Sequence, residues 1–123
     1  MAWAKERHFE LMLVINPEYS EQVANIIDVF RKAIKEHGGR LTREEEWGRR
    51  PFAYRIDKYS KGFYVLLNFA CASRAAVDAI GDNLENNDSV LRSLLSRTAG
   101  EVAQPSPVVL AEQARAEEQA AAA

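Results

Sequence analysis

The chain has 123 residues, 47% hydrophobic and 28% charged, and a formal net charge of −2. That length supports one small domain with one core, and a lone cysteine, Cys71 with apolar flanks, excludes an internal disulfide and fits a reducing compartment. The first ten residues lack the apolar core of a signal peptide, and apolar runs such as Leu11 to Ile15 are too short to cross a bilayer, so a soluble, cytoplasmic protein with no membrane partner is expected.

Residues 1–6 read as a flexible N-terminal extension. Phe9, Leu11, Leu13 and Ile15 then alternate with His8, Glu10, Met12 and Val14. Period two with apolar residues on both faces predicts a central strand, ended by Asn16-Pro17. Ser20 is the expected N-cap of a helix whose stripe is Val23, Ile26, Ile27, Phe30 and Ile34. His37-Gly38-Gly39 stops it, with His37 complementing the helix dipole. From Leu41 to Ile56, Thr42, Trp47, Phe52, Tyr54 and Ile56 favour strand, while Glu44-Glu45-Glu46 and Pro51 mark it as an edge. A long edge strand bent near Gly48 is expected, followed by a turn at residues 58–62. Phe63, Val65, Leu67 and Phe69 open a second strand apolar on both faces. Ser73 caps a helix carrying Ala76, Val77, Ile80 and Leu84, and Val90 to Arg97 forms another edge strand after the Asn86-Asn87-Asp88 turn. The domain so defined spans 7–98. Residues 99–123 run through Pro105-Ser106-Pro107 into an Ala/Glu/Gln-rich stretch and read as a disordered acidic tail.

Strand, helix, strand, strand, helix, strand is a split βαβ order. Right-handed crossovers put the first and third strands in the middle and both helices on one face of a four-stranded antiparallel sheet. The two strands apolar on both faces are then the two central ones.

The chemistry-bearing residues point to contact rather than catalysis. His8, His37 and Cys71 make no metal-ligand spacing, and Gly38-Gly39 follows a helix rather than a strand, so it is no phosphate loop. Consecutive strand residues face opposite ways, so Glu44, Glu45 and Glu46 cannot converge on one substrate; a solvated edge is expected. No cofactor, metal or small-molecule substrate is implied. An acylphosphatase-like enzyme would need an anion-binding loop after the first strand, where Asn16-Pro17-Glu18-Tyr19 offers no arginine. A small-molecule sensor would need a glycine-rich ligand loop, which is not evident.

Charge is unevenly spread. From Ala99 onward the net is −3, leaving +1 for residues 1–98, and residues 49–61 hold five bases against Asp57. There Trp47, Arg49, Arg50, Phe52, Tyr54, Arg55 and Lys58 interleave aromatics with cations on an expected edge strand. Arginine suits bidentate phosphate contacts and stacking; Trp, Tyr and Arg concentrate in protein interfaces, and an open strand edge accepts a partner. Arg7, Arg92 and Arg97 would share a second basic region if the first and last strands pair.

Three blocks resemble the bacterial small-subunit ribosomal protein six family: Arg7-His8-Phe9-Glu10 running to Asn16-Pro17, Trp47-Gly48-Arg49-Arg50 with Ala53-Tyr54, Ile56 and Lys58, and Asn87-Asp88-Ser89-Val90-Leu91-Arg92. The resemblance covers Arg7 to about Arg97. Phe52 departs from the family's usual Leu, Pro51 from a polar residue, and Asp57 from a base or small residue. The resemblance implies an α+β, ferredoxin-like βαββαβ fold, no catalysis, and a structural role in the small ribosomal subunit. It also implies binding to the central domain of small-subunit ribosomal RNA as a heterodimer with small-subunit ribosomal protein eighteen during platform assembly. Carried over by position, it assigns Arg7, Arg92, Arg97 and Arg49 to RNA, and Trp47, Arg50, Phe52, Tyr54 and Lys58 to the partner protein.

Overall fold

Strands apolar on both faces must be covered on both faces, and that requirement orders the sheet. The computed structural model describes residues 2–56, 59–101 and 104–122. Strands β1 (Ala2–Ile15), β2 (Arg40–Ile56), β3 (Tyr59–Ser73) and β4 (Val90–Thr98) form one antiparallel sheet in the order β2-β3-β1-β4. The central pair is the one the alternation predicts. Helices α1 (Val23–Glu36) and α2 (Arg74–Glu85) pack together on one face, completing the ferredoxin-like arrangement.

The odd-numbered residues of β1 and β3 face the helices. Leu11, Leu13, Ile15, Val65, Leu67 and Phe69 are fully buried against Ile27, Phe30 and Ile80. Burying each such side chain contributes about 1.5–3 kcal/mol. Cys71 joins this core as a free thiol, and burial raises its pKa, which keeps it in the unreactive thiol form at neutral pH.

α1 starts later than the sequence suggests. Asn16, not Ser20, begins the turn: its side chain accepts a hydrogen bond from the Glu18 amide at 2.9 Å, and Pro17 sits at the first position of a 3-10 turn, Pro17–Gln22. A fixed proline φ and an Asn cap favour that early nucleation. At the other end His37 Nδ1 lies 2.8 Å from the Ala33 carbonyl. The Gly38 and Gly39 amides reach back to the Lys35 and Ile34 carbonyls, with Gly38 at φ 80°. This is the paired hydrogen-bond pattern of a glycine-terminated helix. Ser73 stands at the N-cap of α2 as expected but makes no side-chain cap bond.

Two segments depart from the expected boundaries. β1 begins at Ala2 rather than near Arg7. Lys61 and Gly62, expected in a turn, instead pair with Pro51 and Arg50, so β2 and β3 continue as a ribbon to the Ile56–Tyr59 pair. Pro51 lies on an edge strand, where proline is tolerated, at the start of a register break before Ile56.

The chain after β4 does not leave the sheet at once. Ser106 is 4% exposed and begins a third helix, α3 (Pro107–Ala122), which contacts β2. Pro107 occupies a first-turn position, where its missing amide costs nothing.

Candidate nucleic-acid and protein interfaces

Strand alternation divides the candidate residues between the two sheet faces. Arg7 is opposite Cys71, and Arg97 is opposite Phe9, on the helix-side face at one end of the sheet. Arg92 is opposite Val14, on the other face and five residues back along β4. At about 3.3 Å per residue that is about 16 Å from Arg97. The single basic region expected for Arg7, Arg92 and Arg97 is therefore two: Arg7 with Arg97, and Arg92 apart. Pairing of β1 with β4 brings the first two together; strand parity separates the third.

Arg7 is held by aromatics. Its guanidinium carbon lies 4.1 Å from the centre of the Trp3 ring, which packs against Phe9 at 6.0 Å; Phe9 stacks on Phe69 at 5.4 Å. The arginine thus rests on a stack rooted in the core. Trp3 is not marked by strand periodicity, because it precedes the first regular alternation. The signal that could have found it is an aromatic four residues before an arginine at a strand start.

The second candidate block lies on β2. Trp47 sits at a register break between Glu46 and Gly48, with Gly48 at φ 78°. The extra residue lets the Trp47 ring stack on Tyr64 across the strand pair, 6.4 Å between centres and 14° between planes. Its indole Nε1 donates to Glu45 Oε1 at 2.9 Å. Arg50 Nε donates to the Trp47 carbonyl at 3.2 Å, and its guanidinium lies 5.9 Å from the Trp47 ring. Arg49 faces the opposite way, 5.6 Å over Phe63 on the helix side. The structure therefore joins Trp47 and Arg50 and sets Arg49 apart from them. The side chains of Phe52 and Tyr54, and Lys58 entirely, lie outside the described residues.

A Cβ added at Gly48 meets nothing within 4 Å, so space is not the constraint; the positive φ is. Gly48→Ala should cost about 1–2 kcal/mol through left-handed strain. Urea denaturation measures it, and an unchanged midpoint would show that the bulge relaxes.

Within the glutamate run Glu44 and Glu46 are exposed, as a solvated edge requires, but Glu45 is buried. Glu44 faces the helix side and takes both Arg31 Nε and Nη2 at 2.5 Å, which raises the Arg31 pKa. Glu45 points to the other face, is 9% exposed, and accepts from the Ser106 amide at 2.8 Å and the Ser106 hydroxyl at 2.5 Å. Burial alone would raise its carboxyl pKa, but the Ser106 and Trp47 donors hold it below the usual carboxylate range. Neighbouring bonds extend this seam: Arg43 donates to Asn68 Oδ1 at 2.9 Å and to the Gln104 carbonyl at 3.1 Å, and Arg40 pairs with Glu101 at 2.5 Å and Glu6 at 2.7 Å. Glu101, Gln104 and Ser106 are thereby fastened along β2.

Among the described residues, no cluster of three or more His, Cys, Asp or Glu could hold a metal ion, and no helix is long and apolar enough to cross a membrane. Residues 8–97 match the model of a family described as ribosomal protein S6. The chain belongs to the ribosomal protein S6 family. A solved structure of 30S ribosomal protein S6 from Thermotoga maritima is similar, with 25% identity and TM-score 0.72, covering 93% of this chain and 99% of that one. The C-terminal domain of the MgtC protein from Mycobacterium tuberculosis shares the fold at 11% identity and TM-score 0.53, over 86% of this chain and 100% of that domain. Family membership makes this S6-family chain a structural protein of the small ribosomal subunit, and so of the cytoplasm and of translation. Trp3 and the segment that fastens to β2 both lie outside the matched span.

Proposed function

We propose that the chain binds the central domain of small-subunit ribosomal RNA together with small-subunit ribosomal protein eighteen, as a non-catalytic heterodimer in platform assembly. The match to the S6 family over residues 8–97 carries this reading. Charge supports the need for a partner: residues 1–98 have a net of only +1, which supplies few of the phosphate contacts on which RNA affinity depends. Arg7 and Arg97, on one face at one sheet end, form the first RNA contact. Arg92 forms a second on the other face, and Arg49 a third beside Phe63. Trp47 and Arg50, joined on the β2 edge, fit the protein partner, along with Phe52, Tyr54 and Lys58 of the same block. Residues 7–98 form the ribosomal domain, with 1–6 and 99–123 as appendages to it.

The test is a filter-binding titration of a central-domain RNA fragment with the chain and its partner, across salt concentrations. The two proteins together should bind far more tightly than this chain alone. The double variant Arg7→Ala, Arg97→Ala should weaken binding and reduce the slope of log affinity against log salt by about two. Tight binding by this chain alone at physiological salt, or an unchanged slope in the double variant, counts against the assignment.

A further inference from the structure

Building on the RNA-binding reading, we propose that Trp3 and Arg7 form a stacking platform for one unpaired nucleobase of the RNA.

The platform arises from an irregular strand start. Ala2 pairs with Ser73 and Arg7 with Cys71, so residues 3–6 bulge out opposite Ala72 alone. In a regular strand Trp3 and Arg7 would be about 13 Å apart along the axis. The bulge lets Trp3 turn back over the sheet end, where the Arg7 guanidinium lies 4.1 Å above its ring. Phe9, itself stacked on Phe69, braces the indole from the core side. Arg7 is thus seated over the Trp3 ring and only partly buried.

Charge placement favours a nucleic acid over an acidic protein groove. Glu6, the nearest acid in sequence, faces away and is tied to Arg40, whose hydrogen bond lowers the Glu6 pKa. Among the described residues Arg7 and Arg97 make no ion pair. Arg97 lies across the strand pair from Phe9, on the same face as Arg7, placed for the phosphate next to a stacked base. A planar guanidinium on an indole offers a π-surface to any base, with the charge that draws the backbone in. An unpaired base fits because paired bases have no free face, and single-stranded positions are where proteins stack on RNA.

Two variants separate stacking from charge. Trp3→Ala and Arg7→Lys each retain the full positive charge, so each should weaken binding of the central-domain RNA fragment by the chain with its partner by about tenfold, with the salt slope unchanged. Trp3→Phe should recover part of the loss. In protein labelled with 5-fluorotryptophan, the ¹⁹F resonance absent from Trp3→Phe should shift on adding RNA, which a purely structural role would not produce. If Trp3→Ala fails to fold, Arg7→Lys and the ¹⁹F shift decide. Wild-type affinity in Arg7→Lys, or a Trp3 resonance unmoved by saturating RNA, overturns the platform while leaving the functional reading standing. Loss of partner-protein affinity in place of RNA affinity assigns the surface to protein and overturns it too. A wild-type pair that binds no RNA overturns both.

Discussion

Phe69→Ala should destabilise the domain by about 3–5 kcal/mol. Phe69 is fully buried on a central strand, paired with Phe9 on one side and Leu41 on the other, and its ring stacks on Phe9 at 5.4 Å. Truncation loses the transfer free energy of a whole ring and leaves a cavity that sheet backbone cannot close, because hydrogen bonds on both sides fix the strand spacing. Small domains hold only about 5–15 kcal/mol in total, so the variant should sit near its threshold. Urea melts report the loss as a lower midpoint at unchanged slope. Leu94→Ala is the matched control: Leu94 is 65% exposed on β4, and its loss should stay within about 0.5 kcal/mol. A Phe69→Ala loss below about 1 kcal/mol would mean the core repacks around the vacancy. The effect should also reach Arg7, since Phe69 supports Phe9 and Phe9 supports Trp3 beneath Arg7.

Most of the fold was legible because periodicity is local. Phe9 to Ile15 and Phe63 to Phe69 show the double apolar face that only a central strand needs, and crossover handedness then orders the sheet. Glycine chemistry was equally readable at His37-Gly38-Gly39 and at Gly48. Long-range pairing was not. That Arg92 and Arg97 face opposite ways follows from their odd spacing on one strand, but which β1 residues they oppose, and the register shift between Val14 and Ile15, are not written in composition. Glu45 looks like the centre of an acidic run, yet its environment is set by Ser106, 61 residues later. The tail's composition predicts disorder, and its low apolar content still explains why α3 stays mostly exposed; what holds its start is a handful of polar bonds to β2. The candidate contact residues stand out by type, while which of them lie together needed three-dimensional pairing.

Glu45→Gln should release the segment 104–106 from β2. Three donors converge on the two carboxylate oxygens: the Ser106 amide on one, and the Ser106 hydroxyl and the Trp47 indole on the other. Glutamine keeps the shape but replaces one acceptor with an NH₂ donor. A donor would then face a donor at a buried position, at a cost of about 1–3 kcal/mol while the segment stays docked. Undocking relieves this by letting water in, so the loss appears as local opening rather than global unfolding. The same logic sets a pH dependence. The folded carboxyl pKa is lowered, so its contribution is complete above the ordinary Glu value of about 4.3 and is lost as pH falls through the lowered folded value. The Ser106 amide shift in a ¹⁵N-correlated spectrum reads both effects. In the wild type it should hold a hydrogen-bonded position at pH 7 and move to a solvent-exposed one on acidification below pH 4. In Glu45→Gln it should sit at the exposed position throughout, with no acid step. Superimposable Ser106 resonances in the two proteins at pH 7 would show that Arg40 with Glu101 and Arg43 with Gln104 suffice to hold the segment. Because Trp47 shares the Glu45 carboxylate with Ser106, release of the segment should also loosen Trp47 on Tyr64, and so alter the β2 edge.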